Sequence, residues 1–192
     1  MTVWVSAHKL LWWAMAALFG AAMAALLRTE VVPPLFVFGQ HLVGIPAPVL
    51  LTAAVATCVI GGLLSSTPQS ERAGMRSLWL LEAAWCTSAW AAATGVYFAT
   101  LAFVPGADGG LEFVRNVGGL LAAGLLARRW FGTVLGSLVP IAWVMCILAF
   151  GTPDGDAGLS WPTSPIGSRG TITAVVVLTA GLVLGLGRRS RN

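Results

Sequence analysis

The chain is predicted to be an all-α, polytopic integral membrane protein. Six transmembrane helices, with both termini cytoplasmic, are expected to form one transmembrane domain over residues 1–192. Three observations predict this. Of the 192 residues, 57% are hydrophobic and 9% charged, whereas a soluble domain carries about a quarter charged residues. A water-soluble fold of this size has too little interior to hide that much apolar surface. The apolar residues also gather into runs of bilayer-crossing length, and the loops between those runs alternate between basic and acidic.

A bilayer core about 30 Å thick asks for roughly 20 apolar residues per helix. The runs that meet this are 9–28, 46–66, 77–104, 111–127, 130–150 and 171–187. The first follows Lys9 and could pass for a signal peptide. Leu10 to Leu27 is nevertheless 18 uncharged residues, longer than a hydrophobic signal core of about 7–15, and it reads as a span. The fourth run is the weakest, because Glu112 and Arg115 must enter the outer part of the membrane to complete it. Between the first two runs, Val31 to Leu42 is apolar but broken by Pro33 and Pro34, so it cannot continue a helix. It is expected to lie in the interface or dip back against other helices.

Orientation follows from the basic residues. Lys9, Arg72, Arg76, Arg128, Arg129, Arg188, Arg189 and Arg191 fall on one side, and Arg28, Arg115 and Arg169 on the other. The second side also carries Glu30, Asp108, Glu112, Asp154 and Asp156. Short loops rich in Lys and Arg stay in the cytoplasm, which assigns the first side to it. Trp12, Trp13, Trp79 and Trp130 sit near the cytoplasmic ends of their spans, as an aromatic belt requires. The net charge of +4 is spread over loop ends, unlike a nucleic-acid face, and no nucleic-acid partner is expected.

Several chemistries are poorly supported. A P-loop needs a lysine after a glycine-rich turn, and the only lysine, Lys9, follows Val5-Ser6-Ala7-His8. His8 and His41 have no Cys or carboxylate at ligand spacing, which argues against a zinc or haem site. Neither a Gly-x-Ser-x-Gly turn nor a His-Glu-x-x-His helix occurs. Cys58, Cys86 and Cys146 all lie within apolar runs and are odd in number, so they read as small buried side chains. The chain is therefore expected to be no enzyme and to hold no cofactor itself.

The polar groups inside the runs are the candidate site residues, since intramembrane charge is costly. Glu112 and Arg115 are three apart, hence on one helix face, with the acid N-terminal to the base. Asn116 adds a neutral donor and acceptor beside them. These three read either as a self-neutralised packing pair or as the lining or lock of a transport path. Glu82, near the cytoplasmic end of the long third run, reads as an interfacial carboxylate within reach of the loop arginines, or as part of such a path. Gly132 with Gly136, and Gly181 with Gly185, have the spacing of helix-packing or dimer seams. Pro140 frees a carbonyl in the fifth run and is expected to kink it. Glu71, Arg72 and Arg76 make the short loop Ser65 to Ser77 either a topology anchor or a docking surface.

Four motifs carry a resemblance. They are Glu71 to Arg76 between runs two and three, Arg115-Asn116-Val117-Gly118-Gly119-Leu120 opening run four, Arg128-Arg129 after it, and Trp161-Pro162 in the last outer loop. With them the chain resembles the membrane subunits (permeases) of compact six-helix type 2 ABC exporters from high-GC bacteria. The resemblance implies a pair of six-helix halves, as a homodimer or with a second membrane subunit, in the bacterial plasma membrane. It further implies a cytoplasmic ATPase partner that holds ATP and Mg, touched through Glu71, Arg72 and Arg76. The expected function is export of an apolar or amphipathic compound, of the peptide-antibiotic or lipid class, by alternating access. A non-transporting accessory or immunity protein, or a stand-alone proton-coupled transporter, is the alternative.

Overall fold

The computed structural model describes residues 2–32, 45–65, 78–104, 110–150 and 162. Its class is all-α. The helices are α1 (Thr2–Leu26), α2 (Ala47–Ser65), α3 (Leu78–Leu101) and α4 (Gly110–Phe150), with a two-residue ladder of β1 (Val31–Val32) and β2 (Ile45–Pro46) between the first two. Lys9–Leu26 and Gly110–Gly132 are long and apolar enough to cross a membrane, and Ala47–Leu63 and Val134–Ile147 are shorter apolar helices. The run 171–187, with Gly181 and Gly185, lies outside the described residues.

Helix α1 begins at Thr2, seven residues before the expected span, and unwinds through a turn closed by Glu30 N–H on the Leu27 carbonyl, 3.0 Å. Val31 then pairs with Pro46 and Val32 with Ile45, antiparallel, so the chain between them leaves and returns at one point. Sequence periodicity gave no sign of this ladder, whose strands are only two residues each. Pro46 and Pro48 flank the first residue of α2, where the missing N–H groups have no preceding carbonyl to serve.

The expected fourth and fifth runs form one element, α4, folded back at Gly132 and not at Arg128-Arg129. Gly132 has φ 82° and ψ 172°, a region essentially restricted to glycine. Arg and Trp are adequate helix formers, so the helix runs on through Arg128, Arg129 and Trp130 until a glycine lets it turn. The two arms of α4 then pack antiparallel. A Cβ on Gly136 would lie 2.8 Å from the Arg128 backbone nitrogen, and one on Gly124 would lie 2.8 Å from the Gly136 carbonyl oxygen. That carbonyl is the one Pro140 deprives of its helical donor, and it comes to face the α-carbon of Gly124. Backbone dihedrals stay helical at Pro140, and the sharp break in α4 is at Gly132. Gly136 is thus a packing seam within this chain.

Helix α2 and the first arm of α4 form the core, with Val55, Val59, Ile60, Leu63, Val117, Leu120 and Leu125 almost fully enclosed. Around them α1 and α3 dock through small residues. Gly61 lies under the Trp13 ring and Gly62 under the Trp85 ring, and Gly20 faces Val55. Trp13, expected in an aromatic belt, therefore packs inward, whereas Trp12 and Trp130 remain 69% and 68% exposed.

Candidate functional site

The polar side chains fall at the two ends of the α3–α4 seam, where these helices run antiparallel. At one end Arg128, in the last full turn before Gly132, donates from Nη2 to Oε1 of Glu82 at 2.5 Å. The two side chains are 16% and 14% exposed. Glu82 is thus mostly enclosed and paired with a base. Among the described residues the contact is single, and the buried Arg128 Nη1 nitrogen has no hydrogen-bond partner. Cys86, one turn beyond Glu82 on the same helix, is 1% exposed.

At the other end Asn116, 3% exposed, ties two parts of the chain together. Its Nδ2 donates to the Pro162 carbonyl at 2.8 Å, while its Oδ1 accepts from Arg115 Nε at 3.0 Å. Arg115 and Glu112 are both half-buried on this end of α4. Three residues before Asn116, Phe113 stacks on Tyr97, with centroids 4.0 Å apart and planes 8° from parallel. Beside this stack Trp90 Nε1 donates to the Val114 carbonyl at 3.3 Å, and nearer the other end Trp85 Nε1 donates to the Val59 carbonyl of α2 at 2.8 Å.

Helix α3 is the most hydroxyl-rich of the four described helices, but most of its hydroxyls serve the helix itself. Thr87 donates to Ala83 O at 2.8 Å, Ser88 to Trp85 O at 3.1 Å and Thr100 to Val96 O at 2.8 Å. Such back-bonding leaves a surface more apolar than composition implies. Beside α3, a half-open groove of about 200 Å³ separates it from α1, walled by Ala14, Ala17, Leu18, Trp85, Ala89 and Ala92.

Of the residues singled out by sequence, Glu82, Glu112, Arg115 and Asn116 are described, the last three together and Glu82 apart from them. Glu71, Arg72 and Arg76 lie outside the described residues. The sequence marks Arg128 as a topology determinant and as part of a resemblance motif but does not pair it with Glu82, although an acid in an apolar run calls for a base. Pro162 is 46 residues from Asn116, and nothing local marks the contact. Among the described residues no group of three or more His, Cys, Asp or Glu is placed to hold a metal ion. Comparison with protein families, with curated proteins and with solved structures finds no match.

Proposed function

We propose that the chain is a multi-pass protein of the bacterial plasma membrane with both termini cytoplasmic. Within it, the chain serves as the membrane-spanning subunit of an ATP-driven exporter of an apolar or amphipathic compound. The membrane assignment rests on one observation: the outer helices are apolar on the side turned away from the core. Leu11, Trp12, Met15, Phe19 and Leu26 form an exposed face on α1, and Phe131, Val134, Leu135, Leu138, Ile141 and Met145 form another on the second arm of α4. A helix apolar all round belongs in a core or in lipid, and faces of this extent in water are aggregation surfaces.

The charge-derived orientation assigns a side to each polar contact. Glu82 meets Arg128 at the end assigned to the cytoplasm, and Asn116 meets Pro162 at the end assigned to the outside. The exporter assignment adds the family resemblance, two of whose motifs, Arg115-Asn116 and Trp161-Pro162, are joined by the Asn116 hydrogen bond. ATP and Mg belong to a separate chain docked on Glu71, Arg72 and Arg76. Nucleotide-driven closure of that partner pushes on the loop ahead of α3, and the helices part on one side.

The test is a mild-detergent pull-down of the tagged chain from its native host, followed by an ATPase assay of wild type and of R72E/R76E. An ATPase that copurifies with wild type and is lost with the charge-reversed loop is the expected result. A well-folded chain that recovers no ATPase in either form contradicts the exporter assignment.

A further inference from the structure

The seam between α3 and α4 is thin compared with the seam between α2 and α4, and its fastenings differ in kind along its length. At one end stand the Tyr97–Phe113 stack and the Trp90 indole bond, both made by rings that stay in contact through small rotations. At the opposite end, about 22 Å away at 1.5 Å per residue, stands the single Glu82–Arg128 contact. We propose that this ion pair is an openable latch, and that α3 swings from α4 about the aromatic end when it releases.

Three features favour a latch over a permanent brace. Among the described residues the pair is only half satisfied: one guanidinium nitrogen bonds the carboxylate and another is buried with no acceptor. Buried polar groups left unpaired raise the free energy of the closed state and favour an opening that hydrates them. Glu82 lies in the second turn of α3, so it is the first fastening of the seam met from the start of that helix, where a helix end separates most readily. Arg128 stands on the fixed side of the seam, its backbone packed against Gly136 of the second arm, so release of the pair moves α3 and not the base. The latch rests on the geometry of the bundle alone and stands or falls separately from the exporter assignment.

Cys86 is a native reporter of this end of the seam, being enclosed and one turn from Glu82. The experiment follows maleimide labelling of Cys86 and of Cys58, in the core helix α2, by peptide mass spectrometry in detergent micelles on the full chain carrying C146A. E82Q is expected to speed Cys86 labelling roughly tenfold while leaving Cys58 unchanged, as local opening requires. E82M/R128M, which leaves no charge unpaired, is expected to return Cys86 to the wild-type rate. Unchanged Cys86 labelling in E82Q, parallel acceleration of Cys58, or Cys86 labelling in the double variant as fast as in E82Q would each overturn the latch.

Discussion

Replacing Gly136 by leucine is expected to destabilise the bundle by roughly 3 kcal/mol, the upper end of what overpacking costs. The reason is the kind of atom in the way. A Cβ at Gly136 meets the Cβ, Cα and N of Arg128 at 2.7 to 2.8 Å, and backbone, unlike a side-chain tip, has no rotamer to escape into. The two arms of α4 would have to separate, taking with them the Gly124–Pro140 contact and the base that pairs with Glu82. The control is Gly95, on the open side of α3, where an added Cβ meets nothing within 4 Å. G95A is expected to be neutral or to stabilise by up to about 1 kcal/mol, because glycine is a poor helix former. Denaturant unfolding in mixed micelles, followed by tryptophan emission, compares the two. Equal midpoints for G136L and wild type would show that the arms do not pack as described.

Asn116→Leu is expected to cost roughly 2–4 kcal/mol: about 1–3 kcal/mol for the partner left unsatisfied in a dry place and about 1 kcal/mol for the half-buried one. Those partners are the Pro162 carbonyl and Arg115 Nε. Leucine matches asparagine in size, so lost packing contributes little. The loss has a local signature as well: without Asn116 nothing described holds residue 162 to α4. Limited proteolysis within residues 151–170 is therefore expected to accelerate more than cleavage elsewhere. Uniform acceleration, or none, contradicts the tie.

How far the sequence reached depended on whether the deciding interaction was local. The expected bounds 46–66 and 77–104 fall within a few residues of α2 and α3, because length and apolar content are properties of a short window. The turn between the arms of α4 was misplaced by the charge pattern. Arg128-Arg129 marks where a chain tends to stay in the cytoplasm, but the backbone turns where a glycine accepts a positive φ, three residues after the pair. Asn116 was legible as a polar group needing partners, and Glu82 as an acid near basic residues. Their actual partners depended on which helices pack together, which no window of sequence reports. The inward rotation of Trp13 followed from Gly61, a residue in another helix.

That the apolar outer faces meet lipid and that the arginine-rich loops lie in the cytoplasm is the central proposal. Single cysteines at Asp108, Asp154, Glu71 and Arg189, in a chain without native cysteines, test it with a membrane-impermeant maleimide on intact cells. Labelling at 108 and 154 in intact cells, with 71 and 189 labelled only after permeabilisation, is the predicted result. Labelling of all four positions alike, or release of the chain from membranes by alkaline carbonate, would contradict it.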